Sequence, residues 1–263
     1  MIRFDVKNSV NKSMFIKAMQ YPNHPRPPEE VPDGAWDNEK YVLSSTLKQI
    51  EDSTDKNAVG LLNSLYLSST SQVLDKVCMN IFSRLGDKQS LELLHKKYPA
   101  PASIGITLLP YYIRVLQFLG GEQEIETLAR IGNTFWGLYR AEILDAMEEI
   151  SHRIERIHVS DDVVTALQYL YDSGDENDKI KVLSLTSLFS HQLLLSIALC
   201  GIESDHAGVR KAAISALGTY GGDTAYNALR RSFQNESDDA LFEEYEIWLF
   251  QYDKHNASPA STS

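Results

Sequence analysis

Cations, cysteines and long apolar runs are all scarce in this chain of 263 residues. Lys and Arg number 25 against 36 Asp and Glu, a formal charge of −11 at pH 7, and a field of that sign repels phosphate backbones. Nucleic acid is therefore not the expected partner; a basic protein is. Uninterrupted apolar runs stay short, as at 193–195 and 197–200, well below the ~20 residues that cross a bilayer. The opening MIRFDVKNSVNK has cations but no apolar stretch or small-residue cleavage site behind them. No membrane association and no export are expected, and the chain reads as cytoplasmic. Cys78 and Cys200 lie far apart in apolar helical contexts without CxxC spacing, which predicts two buried, reduced thiols.

The signatures of common catalytic sites are missing too. There is no GxxxxGK[ST] loop, no GxSxG elbow and no HExxH. Gly218, Gly221 and Gly222 follow a helical pattern rather than a strand, so they read as a helix turn and not as a phosphate cradle. Glu149 and His152 form an ExxH pair, with Glu155 and His158 further round the helix. A di-iron bundle draws one such motif from each of two helices and adds two more carboxylates, whereas both copies here fall within ten residues, so they read as a solvated charged face. No metal, cofactor or catalytic residue is expected.

What the sequence does contain is repetition. In GVRKAAISALGTYGGDTAYNALRRSF (208–233), Val209, Ala213 and Leu217 recur at steps of four, flanked by Ala212, Ile214 and Ala216, which is the apolar stripe of a helix. Gly218 is expected to end it, Gly221 and Gly222 to turn the chain, and Asp223 or Thr224 to cap a second helix carrying Ala225, Leu229 and Phe233. The same grammar occurs at 77–98, with Val77, Ile81 and Leu85 before Gly86 and Asp87, then Leu91, Leu94 and Tyr98. It occurs again at 111–131, with Tyr112, Leu116 and Leu119 before Gly120 and Gly121, then Ile125 and Leu128. From Leu85 to Leu119 is 34 residues, and from Leu119 to Leu217 is 98, nearly three such periods. Two copies without a glycine joint fill the interval, 141–157 with 161–173 and 178–202, and 39–51 with 57–69 forms a first pair. Two-helix units at this period predict an all-α, right-handed solenoid of about six hairpins, each unable to bury its apolar face alone.

The unit at 208–233 resembles a HEAT repeat of the short kind found in phycobilin lyases. Asp205, Val209, Arg210, Ala213, Leu217, Gly218, Gly222 and Asp223 carry the likeness; it is specific in that unit and partial at 77–98 and 111–131. The resemblance implies the fold, and one alternative function, a lyase-like enzyme or chaperone that attaches a bilin to a partner protein. Deoxyhypusine hydroxylases, another HEAT-repeat family, bind iron through His-Glu dipeptides, and none of the seven histidines here is followed by Glu. HEAT-like DNA glycosylases need a basic groove, whereas cations here are scattered, adjacent only at Lys96–Lys97, Arg210–Lys211 and Arg230–Arg231.

The two ends depart from the pattern. Residues 1–37 hold five of the nine prolines and read as an N-terminal cap and a proline-rich arm. The repeat domain is expected over 38–253, and the small polar residues of 254–263 as a disordered tail. The segment 237–253 has Ser237 or Asp238 as a helix cap and Leu241, Tyr245, Trp248 and Tyr252 along one face, with seven acidic residues and no Lys or Arg between Glu236 and Asp253. It reads as a capping helix that also offers acidic and aromatic groups to a partner.

A solenoid exposes long curved surfaces whose usual use is to hold another protein. The expected function is therefore a non-catalytic, acidic scaffold that captures a basic partner, in its concrete form an inhibitor or immunity protein steered by charge. The expected contact residues are Trp136, Tyr139, Glu142, Asp145, Glu148 and Glu149, with Glu243, Glu244 and Trp248 near the C-terminus. If the repeat is drawn correctly, Leu217→Ala costs about 2–5 kcal/mol in urea unfolding and Glu243→Ala about 0.5 kcal/mol or less; equal losses would overturn the assignment.

Overall fold

The computed structural model describes residues 57–68, 72–135, 138–154, 157–189 and 191–257. The proline-rich arm, the helix expected at 39–51, Trp136, Glu155 and residues 258–263 lie outside them. The described residues form twelve α-helices and no strand, with one isolated parallel bridge between Ile157 and Phe189. The chain divides into two compact units, the first ending at Gly120 and the second starting at Gly121.

The first unit contains α1 (Asn57–Ser68), α2 (Gln72–Leu85), α3 (Lys88–Lys97) and α4 (Leu109–Leu119). Its core is Leu62, Tyr66, Met79, Ile81, Phe82, Leu94, Leu109, Tyr112 and Leu116, all essentially inaccessible to water. Helices α1 and α3 pack on each other, as do α2 and α4, and α1 also meets α2 while α3 meets α4. Gly86 sits where α4 comes close: a Cβ there would lie 2.6 Å from the Phe82 carbonyl oxygen and 2.8 Å from a Leu119 methyl. The next residue, Asp87, caps α3 by accepting from the Ser90 N–H at 2.9 Å.

A polar bracket ties three helices of this unit together. The Lys97 ammonium donates to buried Asp75 at 2.6 Å and to the Tyr66 carbonyl oxygen at 2.9 Å, and the Tyr98 hydroxyl donates to the other Asp75 oxygen at 2.7 Å. The end of α1, the start of α2 and the end of α3 thus share one ion pair. Beside it, burial, reinforced by the Asp75 charge, pushes the Cys78 thiol up to about 12, so this sulfur stays protonated and inert at neutral pH. Cys78 is buried as expected; Cys200 is not, because it lies on the outward side of its helix.

The second unit contains α5 (Glu122–Thr134), α6 (Arg140–Ser151), α7 (Asp161–Ser173), α8 (Glu176–Leu188), α9 (Leu194–Gly201), α10 (Ala207–Tyr220), α11 (Gly222–Asn235) and α12 (Asp239–Ala257). Two rows emerge from its packing. Helices α5, α7, α9 and α11 each contact the next of that series, as do α6, α8, α10 and α12, and the two rows are joined by contacts such as α5 on α6, α7 on α8 and α9 on α10. Apolar residues from both rows, including Leu128, Leu144, Leu167, Leu183, Ile197, Ala213 and Leu217, are fully buried.

Within the described residues the expected helices are present, and some of the expected pairings differ. Helices α6 and α7 do not form the hairpin drawn over 141–173: α6 packs on α5 and α8, and α7 on α5, α8 and α9. Helix α6 stops at Ser151, and the residues that lead into α7, His158 and Ser160, are held by α5. There the Glu122 carboxylate accepts from the His158 N–H at 3.0 Å, and Glu126 accepts from the Ser160 N–H at 3.0 Å and its hydroxyl at 2.6 Å.

Gly218 also differs from its expected role. Helix α10 runs past it to Tyr220, and the turn falls on Gly221 and Gly222, whose φ of +66° and +76° favour glycine. Gly218 is required because the Trp248 indole of α12 lies on it: a Cβ would be 2.0 Å from Cδ2 of that ring. Alanine is the better helix former by about 1 kcal/mol, yet Gly218→Ala is expected to lower unfolding stability by about 1–3 kcal/mol through overpacking and to alter Trp fluorescence. Gly60→Ala, made in α1 where a Cβ meets nothing within 4 Å, should stabilise by up to about 1 kcal/mol. Denaturant titration of both variants checks the contrast.

Candidate binding surface

Helix α12 is held on one side by a chain of specific contacts. Asp238 caps it, its carboxylate accepting from the Ala240 N–H at 3.0 Å, as the sequence led us to expect. Leu241 and Tyr245 are buried, and the Tyr245 hydroxyl meets that of Ser232 at 2.7 Å. Tyr252 stacks on Tyr226 with ring centroids 4.0 Å apart; its hydroxyl donates to Asp223, while that of Tyr226 donates to Asp253 at 2.9 Å. Asp223 therefore binds α12 rather than capping α11, whose N-cap is Gly221. With Trp248 seated on Gly218, the aromatic stripe faces inward along its whole length.

The lead-in to α12 is locked by Arg210. Its guanidinium meets the Glu236 carboxylate with two parallel bonds of 2.9 Å and donates to the carbonyl oxygens of Ser204 and Asp205, both at 3.0 Å. Four donors of the fork are thereby occupied, which holds the loop before α10 against the loop before α12. Burial raises the Glu236 carboxyl, but Arg210 and the Asp238 and Ser237 N–H groups outweigh it and hold the group below its ordinary value of 4.5. An open cleft of about 680 Å³ lies alongside, walled by Arg210, Arg231, Glu203, Asp205 and Glu236 among others. Acids and bases in its walls largely offset one another.

The expected contact residues fall into two sets. On α6, Asp145 is paired with Lys181 of α8, and Glu149 lies 3.8 Å from Arg153, whereas exposed Glu142 and half-buried Glu148 have no ion pair among the described residues. Tyr139 precedes α6 in a left-handed conformation, φ 63°, and is half-buried. On α12, Glu244 pairs with Lys211 of α10 at 2.8 Å and Trp248 packs inward, while Glu243 points out to solvent. The two sets sit on helices of the same row, with α8 and α10 between them.

Two residues of the surface were missed. Ile247 is 44% exposed and Phe250 69% exposed, on the side of α12 opposite the aromatic stripe. A helical wheel over 239–254 carries the signal, since both fall well off the face shared by Leu241, Tyr245, Trp248 and Tyr252.

No protein-family model matches the chain, and no curated protein matches it. Among the described residues no cluster of three His, Cys, Asp or Glu is placed to hold a metal. No helix among them is long and apolar enough to cross a membrane.

The Arg210–Glu236 pair sets a pH dependence. Because the folded carboxyl lies below its unfolded value, the stabilisation is complete above the ordinary carboxylate range and is lost as pH falls through the folded value. Glu236→Gln should destabilise by about 1.5–3 kcal/mol at pH 7 and show a shallower loss of stability on acidification below 4.5. Urea midpoints measured from neutral to acid pH check this, and parallel curves for the two proteins would refute it.

Proposed function

We propose that this chain is a HEAT-like helical repeat scaffold, without a catalytic role, that captures a basic protein. The repeat reading is supported by the packing of each helix on the next but one within each unit, together with the two-helix period around 34 residues. The reading of function rests on one observation: carboxylates on α6 and α12, Glu142 and Glu148 with Asp239 and Glu246, have no ion pair among the described residues, and Glu243 shares only the Lys211 charge already paired with Glu244, on a chain of net charge −11. Such uncompensated charge accelerates encounter with a positive surface and discourages acidic competitors. An inhibitor or immunity protein that blocks a basic toxin or nuclease is the concrete form of this role. The bilin-handling alternative draws no support from the cleft beside Arg210, whose walls are largely polar and charged.

The protein as bait should recover a partner of high isoelectric point, and the complex should weaken from low to physiological ionic strength. Charge reversal at Glu142 and Glu148 should slow association by about tenfold at low salt with little change in the unfolding midpoint. A partner that is acidic, or binding indifferent to salt, would remove the proposal.

A further inference from the structure

The outer face of α12 has a composition that its fold does not require. Residues at steps of three and four along it are Asp239, Glu243, Glu246, Phe250 and Asp253, with Ile247 beside Phe250. A polar cap for the end of a helix row would keep this side hydrophilic. Here Phe250 is instead 69% exposed and Ile247 44% exposed, next to each other in space at i and i+3. The apolar pair is fixed in position, because the opposite face is held by Tyr245, Tyr252 and Trp248 against α10 and α11. Within the row, α8 has α6 and α10 against it and α10 has α8 and α12, whereas among the described residues α12 packs chiefly on α10 and α11. Its outer face is thus where one more helix of the row would lie.

The charges around the pair choose between occupants. A second copy of this chain would bring the same Asp239, Glu243 and Glu246 against themselves, three acids per copy against the one cation of this face, Lys254 one turn beyond Phe250, and like charges in contact oppose pairing. A basic helix meets no such penalty. We propose that the outer face of α12 is the docking site for a basic amphipathic helix of the partner protein, its apolar residues covering Ile247 and Phe250 and its Lys and Arg side chains reaching Asp239, Glu243 and Glu246. This rests on the reading of the protein as a captor of basic partners and adds where, and by what kind of segment, capture occurs. Helix-in-groove contacts of this type read apolar anchors one turn apart, with charge at the rim.

The probes for the test are three labelled synthetic peptides of about five helical turns: one of Lys and Leu in amphipathic order, one of identical composition with the order scrambled, and one with Glu replacing Lys. Fluorescence anisotropy on the full chain should show binding of the amphipathic Lys/Leu peptide, at least tenfold weaker binding of the scrambled one, and none of the acidic one. The double variant Ile247→Ser/Phe250→Ser, whose exposed side chains leave the unfolding midpoint close to wild type, should lose at least tenfold in affinity. Glu92→Gln, at an exposed position of α3 in the first unit, should leave this peptide's affinity within about twofold.

Equal binding of ordered and scrambled peptides, undiminished in the Ile247/Phe250 variant, would overturn the α12 site while leaving charge-based capture standing. No binding of either basic peptide would overturn the site and count against basic capture as a whole. A wild-type dimer in light scattering that the Ile247/Phe250 variant makes monomeric would assign the face to a second copy and overturn the proposal.

Discussion

Helix α10 is enclosed by α8, α9, α11 and α12 at once, and a helix packed from so many directions has little room for side chains of its own. The sequence meets this with small residues at the points of closest approach. A Cβ on Gly208 would touch Ile180 at 3.2 Å, Ala213 lies 3.0 Å from where a Cβ on Gly201 would be, and Gly218 accepts the face of Trp248. Removing that space at Gly218 would lift α12 from its seat, because an indole cannot yield as a flexible side chain does. The position of the acidic outer surface therefore depends on a glycine buried behind it.

Close packing of helices leaves their ends crowded, and the unsatisfied groups there must be paired or hydrated. The chain solves this repeatedly by bracketing two or three helix ends with one ion pair. Asp75 and Lys97 do so in the first unit, Arg210 and Glu236 in the second. Arg140 does so again, donating to the Ser173 carbonyl at the end of α7 and lying 3.5 Å from Asp178 in the first turn of α8. Each bracket joins elements remote in sequence, so it fixes how neighbouring helices meet rather than stiffening any one of them. Buried pairs of this kind contribute more to a unique arrangement than to net stability.

Most helix positions were legible because each buries one stripe, and a stripe is a local pattern: 161–173 was read to the residue, and α5 and α11 nearly so. Which helices pair was less legible. The tight joints at Gly86 and Gly221 look alike in sequence, yet α10 packs on α11 whereas α2 and α3 meet mainly through α1 and α4. That choice is made by side chains such as Leu119, far along the chain from the joint they press on. The candidate surface was half legible for a related reason. Acidity along α12 is visible at once, but Glu244, Asp145 and Trp248 are engaged by Lys211, Lys181 and Gly218, all distant in sequence. Exposure and charge balance at a given residue are properties of the fold.

The distribution of cations sharpens what the acidic charge means. Lysines on the inner members of the row are turned toward neighbouring carboxylates, Lys181 to Asp145 and Lys211 to Glu244. Neutralisation thus works across two helix-to-helix steps, α6 to α8 and α10 to α12. On α12 the inward carboxylate Glu244 is paired directly, Glu243 shares the same Lys211 charge at longer range, and Glu246 has no ion pair among the described residues. An extra carboxylate on a fully solvated surface costs little, and by itself this asymmetry would be a solubility feature. Ile247 and Phe250 make it more than that. Aromatic and branched side chains add nothing to solubility, and an outward Phe and Ile beside carboxylates form the surface that the proposed basic helix would cover.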